Sequence, residues 1–113
     1  MVSINYFRKI ALGLPAVTEA PHFEKKAFKV VKKIFATYDE VNQRACFNFS
    51  IINQDIFSLI DKQIIYPVPN KWGKKGWTFV EMKHVSKKLF SEMIIASYCE
   101  AAPGKYSNAI IVE

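Results

Sequence analysis

The chain of 113 residues contains few cysteines and no long apolar run. Cys46 and Cys99 stand far apart, without the close pairing that zinc or redox motifs require. The sequence therefore predicts two reduced, partly buried thiols, no metal site and no cofactor. Charged residues interrupt the apolar stretch at the amino terminus, a pattern that favours neither a secretory signal nor a membrane span. We expect a cytoplasmic protein without membrane association.

Arginine is also scarce, since Arg8 and Arg44 are the only two among sixteen basic residues. The formal net charge of +6 suggests a polyanionic partner, because lysines near phosphates release condensed counterions. Arginine is the side chain that reads guanine edges with two hydrogen bonds, so its scarcity favours contacts with the nucleic-acid backbone over base reading. The alternative is an ordinary lysine-rich solvated surface.

The composition is that of a globular chain, with 50% hydrophobic and 14% aromatic residues. This length and composition are enough for one aromatic core. We predict a single domain over residues 1–113, with its core in residues 3–101 and a tail in residues 102–113.

Residues 66–78, YPVPNKWGKKGWT, contain both tryptophans, three lysines and two prolines. Pro67 and Pro69 each remove a backbone donor, so the segment continues neither a helix nor a central strand. Gly76 can take a positive φ and end a turn before the strand-like sequence that begins at Trp77. The segment predicts a basic, aromatic hairpin.

The remaining patterns predict an α+β fold in which helices cover a small antiparallel sheet. The order is α-β-β-β-α-β-β-α. The predicted helices are residues 4–14 with Ser3 as cap, a short helix capped by Asn53, and a last helix capped by Ser86. Pro21 predicts an interruption after the first helix. The predicted strands are residues 27–31, 34–38, 45–51, 64–66 and 77–81, the first two joined by a turn at Lys32 and Lys33. Residues 109–112 fit either an edge strand or an unpaired tail.

Two strings in this order, PHFEK at residues 21–25 and PNKWGKKGWT at residues 69–78, closely resemble the MmcQ/YjbR family. The resemblance runs from the first helix to about residue 101. It implies a small α+β domain with helices on one face of an antiparallel sheet, similar to secretion-chaperone-like folds. It also implies DNA binding by a double-wing arrangement, with the hairpins near Lys32 and Lys33 and near Lys74 and Lys75 as the wings.

A nucleic-acid interface is the first site hypothesis, because lysines can contact phosphates while exposed rings stack on unpaired bases. We expect Trp77, at the start of a strand, to belong to the core, whereas Trp72 is the better contact candidate. Each lysine alone is better explained as an ordinary solvated turn residue. The candidate residues are Lys71, Trp72, Lys74, Lys75, Lys29, Lys32 and Lys33.

A ligand cleft is the second hypothesis, formed where the two family strings converge. A histidine beside a carboxylate is suited to holding an anion or to acid–base chemistry, although a lone histidine after proline is more often structural. The candidate residues are His22, Glu24, Lys25, Asn70 and Trp77. No catalytic constellation accompanies them, so the sequence predicts a protein that is not an enzyme.

A third hypothesis is protein interaction, with an exposed aromatic side chain such as Trp72 or Tyr106 as anchor. A monomer is the default expectation.

Overall fold

The computed structural model describes residues 1–23 and 25–108 of the chain. Within these residues the helices are α1 (Ile4–Leu12), α2 (Ile51–Ser58), α3 (Lys87–Ala101) and α4 (Gly104–Ser107). The strands are β1 (Val17–His22), β2 (Lys25–Val30), β3 (Lys33–Asp39), β4 (Arg44–Asn48), β5 (Ile65–Pro67) and β6 (Trp77–Glu81). All neighbouring strands are antiparallel, in the spatial order β1-β2-β3-β4-β6-β5. The α+β class and the order of the predicted elements are confirmed.

Strand β1 is an addition to the predicted elements, because Pro21 suggested an interruption at this point. Pro21 pairs with Lys26 of β2, and β1 forms one edge of the sheet. Proline is tolerated on an edge strand because no further strand needs its missing N–H. Among the described residues, the sheet therefore has six strands rather than the predicted five.

The helix caps are partly as predicted. Ser3 and Ser86 accept backbone hydrogen bonds from Tyr6 and Leu89 at 3.0 and 3.2 Å, which confirms both caps. The predicted cap of α2, Asn53, is wrong, because Ser50 Oγ accepts from the Asn53 N–H at 3.1 Å and the helix begins at Ile51.

The predicted third strand is also too long. It was expected to reach residue 51, but β4 ends at Asn48. Phe49 continues the apolar alternation because its side chain is buried in the core, although it lies outside the strand.

One face of the sheet is covered by helices, and residues 1–23 and 25–108 leave the other face open. In β4 and β6 every second residue is buried, and the residues between them are only partly buried. The buried set packs against aromatic side chains of α1 and α3, as the Phe47–Phe90 ring distance of 5.4 Å and the Phe7–Phe47 distance of 5.7 Å illustrate. The partly buried set, which includes Cys46 and Phe79, therefore lies on the open face.

A β-bulge in β3 changes which residues reach that face. Phe28 pairs with Ala36 and Lys29 pairs with Ile34, so Phe35 is an extra residue in β3. Phe35 and Ala36 are both fully buried, and the Phe35 ring packs 5.6 Å from that of Tyr98 in α3. The bulge thus places Ile34 on the open face.

The first part of the predicted tail, residues 102–113, contains a short helix. Helix α4 follows Pro103, and Tyr106 packs against the core. The predicted strand or tail at residues 109–112 lies outside the described residues. Along the described part of the chain, no helix has both the length and the apolar character needed to cross a membrane.

Candidate functional site: the open face of the sheet

The open face contains a cleft of about 830 Å³. Its floor consists of side chains from three adjacent strands, namely Ile34, Thr37, Cys46, Trp77 and Phe79. Its rim consists of two segments, the β1–β2 hairpin with His22, Phe23 and Lys25, and the β5–β6 loop with Val68, Asn70 and Trp72. We call this space the sheet cleft. It is mostly aromatic and aliphatic, with a few polar groups at its edge, which is the usual composition of a ligand site.

The sheet cleft brings together four of the five residues of the second site hypothesis. His22 and Lys25 lie at one rim, Asn70 lies at the other, and Trp77 lies on the floor. Glu24 lies outside the described residues. The expectation that Trp77 belongs to the core is wrong, because its neighbour Thr78 takes the buried position and Trp77 itself is partly buried on the open face.

The β5–β6 loop is held in shape by its own backbone and by Asn70. The Asn70 side-chain oxygen accepts from the Trp72 N–H at 2.8 Å, which forms a turn of the Asx type. Gly76 takes the predicted positive φ, at 104°, and its carbonyl accepts from the Phe49 N–H at 3.0 Å. A Cβ at Gly76 would lie 1.8 Å from the Phe49 carbonyl oxygen. The position of Trp72 therefore depends on these local contacts.

Gln54, which was not predicted as a site residue, fixes this loop from below. The side chain is buried, and its Nε2 donates to the carbonyls of Gly73 and Trp77 at 2.9 and 3.2 Å and to Thr78 Oγ1 at 3.1 Å. A glutamine within α2 carries no sequence signal for this role. Only the packing of α2 beneath the loop reveals it.

Trp72 is the exposed aromatic side chain of the loop, as predicted, with 48% of its surface accessible. The Nζ atoms of Lys75 and Lys71 lie 5.0 and 5.8 Å from the centroid of its ring. Both distances allow cation–π attraction. Trp72 is therefore a half-exposed ring with two lysine ammonium groups over it.

A second depression, of about 530 Å³, adjoins the sheet cleft. It brings together Lys32 and Lys33 from the β2–β3 hairpin and Lys75 from the β5–β6 loop. Ile34 and Trp77 line both spaces, so the two are neighbours. We call this second space the lysine groove. Its other lining residues are Asn48, Phe49, Glu100 and Ala101.

The other predicted lysines lie around these spaces rather than in them. Lys29 of β2 pairs with Ile34 of β3 and is partly buried, while Lys74 is exposed on the loop. Lys71 contacts the ring of Trp72. The structure thus brings three of the six predicted lysines into one groove.

Both arginines are engaged by carboxylates. Arg8 makes two-pronged contacts with Glu19 at 2.9 to 3.1 Å, and Arg44 Nε donates to Glu81 at 3.1 Å. The Arg44 guanidinium also lies 4.7 Å from the centroid of the Phe79 ring, and Tyr66 donates its hydroxyl to Glu81. Both guanidinium groups are therefore already paired within the chain.

The thiol on the cleft floor is not an activated nucleophile. Burial raises the pKa of Cys46 to about 12, and the charge of Lys25 offsets this only in part. The group is therefore a neutral thiol at neutral pH, whereas a nucleophilic cysteine requires a lowered pKa. Among residues 1–23 and 25–108, no cluster of three or more His, Cys, Asp or Glu side chains is placed to hold a metal ion.

These features define a small α+β domain whose antiparallel sheet has one helix-covered face and one open face. Residues 12–100 match the YjbR family model, so the chain belongs to the YjbR family. A solved crystal structure of a Deinococcus radiodurans protein with a DUF419 family-model domain is similar in fold, with a TM-score of 0.77 and 24% sequence identity. The similarity covers 88% of this chain and 78% of that one. No curated protein matches the chain.

Proposed function

We propose that the protein is a non-enzymatic nucleic-acid-binding protein that contacts backbone phosphates through the lysine groove. The observation that carries this proposal is the convergence of Lys32 and Lys33 from one hairpin with Lys75 from another. The two hairpins then act as the two wings of a double-wing arrangement. DNA is the partner to test first.

The charge of the groove supports phosphate binding. Three lysines line it together with one carboxylate, that of Glu100, which accepts a hydrogen bond from Asn53 at 3.3 Å. Each lysine that neutralises a phosphate releases counterions, and this gain does not depend on base sequence. With both arginines paired to carboxylates, affinity without strong sequence preference is the expected behaviour.

Fluorescence anisotropy of labelled DNA tests the proposal when two variants of equal charge are compared. The groove variant carries Lys32→Gln, Lys33→Gln and Lys75→Gln. The control variant carries Gln at Lys62, Lys83 and Lys88, which are exposed and do not line the groove. Each variant lowers the net charge from +6 by three, to +3.

The groove variant should bind DNA about tenfold more weakly, or worse, at low salt, whereas the control should lose much less. Equal losses in the two variants would mean that overall charge, and not the groove, attracts the DNA. That result would overturn the assignment of the site.

A second candidate function is binding of a small ligand in the sheet cleft. The observation that favours it is the convergence of His22, Lys25, Asn70 and Trp77 on one space. Isothermal titration calorimetry with anionic aromatic compounds checks it, and His22→Ala should weaken such binding while leaving the binding of duplex DNA intact.

A further inference from the structure

The sheet cleft and the lysine groove are neighbouring spaces with different chemical characters. Ile34 and Trp77 belong to both spaces. On one side of them the lining is aromatic and aliphatic, and on the other side lie Lys32, Lys33 and Lys75. A partner that fills both spaces must therefore have a flat apolar part joined directly to an anionic part.

A nucleotide within a DNA strand has this composition. Its base is planar and stacks on aromatic side chains, and its phosphates pair with lysines. The sheet cleft offers Trp72, Trp77 and Phe79 for stacking. Its volume of about 830 Å³ lies within the roughly 300–1,000 Å³ typical of small-molecule sites, so one unpaired base has ample room.

A base within a duplex does not meet these conditions. Both of its faces are covered by neighbouring bases, and extruding it costs unstacking and unpairing energy. A duplex therefore has access to the lysine groove through its phosphates but leaves the sheet cleft empty.

We propose that the sheet cleft takes up an unpaired base, so that the protein prefers single-stranded DNA over duplex DNA. This inference rests on the proposed function, since the phosphates of the same strand occupy the lysine groove. Trp72 provides the half-exposed ring, and Lys71 and Lys75, whose Nζ atoms lie over this ring, shift to the adjoining phosphates when the base stacks. The polar groups at the rim, His22, Lys25 and Asn70, are placed to meet the polar edge of the base.

The chain contains its own reporter of this binding. Its two tryptophans are Trp72 and Trp77, and both line the sheet cleft. A base that stacks in the cleft should change the intrinsic tryptophan fluorescence, whereas phosphates bound only in the lysine groove should leave it nearly unchanged.

The experiment compares four ligands at one salt concentration. They are an oligothymidylate of about 12 nucleotides, an abasic strand of the same length, the duplex of the oligothymidylate, and free thymidine monophosphate. Binding is followed by anisotropy of a labelled strand and by tryptophan fluorescence. The oligothymidylate should quench the fluorescence and bind about tenfold more tightly than the abasic strand or the duplex, as expected from one stacked base.

Variants at position 72 separate stacking from folding. Trp72→Ala should abolish most of the preference for the base-bearing strand. Trp72→Phe, which keeps an aromatic ring, should retain the preference. Neither change removes a core contact, because Trp72 is about half exposed. Ile52→Ala, which shortens an exposed side chain of α2, is the matched control and should keep the full preference.

The outcomes distinguish this inference from the function on which it rests. If duplex, abasic and base-bearing strands bind equally without a fluorescence change, the base inference is wrong and phosphate binding stands. Saturation by the free mononucleotide with no gain from the strand would also overturn it. If no DNA binds even at low salt, both proposals are wrong.

Discussion

Replacing Gln54 by alanine should destabilise the β5–β6 loop and the whole domain. The Gln54 amide supplies two N–H groups to three acceptors, the carbonyls of Gly73 and Trp77 and the hydroxyl of Thr78. Each net hydrogen bond contributes about 1 kcal/mol, and the truncated side chain leaves unfilled space below the loop. The acceptors keep other partners, for example the Val68 N–H at 3.0 Å from the Trp77 carbonyl. We therefore expect a loss of about 2–3 kcal/mol in the free energy of unfolding.

Urea denaturation followed by tryptophan fluorescence measures this loss, because both tryptophans flank the affected contacts. For a domain of this size the change corresponds to a decrease of roughly 10 °C in Tm. Gln63→Ala, at an exposed position just after α2, is the control and should change stability by less than about 0.5 kcal/mol. If Gln54→Ala unfolds at the same urea concentration as the control, the hydrogen bonds of Gln54 do not hold the loop.

Two further predictions concern stability. Gly76→Ala should lower the free energy of unfolding by at least about 2 kcal/mol in urea denaturation, because the residue has φ 104° and its Cβ would meet the Phe49 carbonyl. Gly104→Ala is the control and should be nearly neutral. Equal effects of the two changes would contradict the role of the loop geometry. The hydrogen bond from Arg8 lowers the pKa of Glu19 in the folded protein. The paired carboxylate therefore stabilises the fold fully above the pKa of Glu19 in the unfolded chain, near 4.5. This stabilisation is lost as the pH falls through the lower pKa of the folded state. The stability difference between the wild type and Glu19→Gln should therefore be largest near pH 7 and shrink in acid, and a difference that is constant from pH 7 to pH 3 would refute this.

Local sequence patterns were sufficient to predict most of the secondary structure. Ser3 and Ser86 each precede a helical apolar stripe, and both cap a helix. The errors arose where two local signals compete. Pro21 indicated a break but lies on an edge strand, and Ser50 rather than Asn53 caps α2 because the chain leaves the sheet two residues after Asn48.

The site residues were predictable only as separate segments. The basic, aromatic loop could be read from its prolines, glycines and lysines, and so could the hairpin at Lys32 and Lys33. Their convergence into one groove depends on strand order and on the bulge at Phe35, which no local pattern specifies. The outward position of Trp77 follows from its alternation with Thr78, whose small side chain gave no sign that it would be the buried one.

The measurement that tests the central claim most directly is the salt dependence of DNA binding by the wild-type protein. If Lys32, Lys33 and Lys75 all contact phosphates, the plot of log K against log salt concentration should have a slope of about −2 or steeper, at roughly −0.7 to −0.9 per phosphate contact. The groove variant should have a visibly flatter slope. Binding that does not change with salt, or no binding at low salt, would contradict the account of the lysine groove as a phosphate-binding surface.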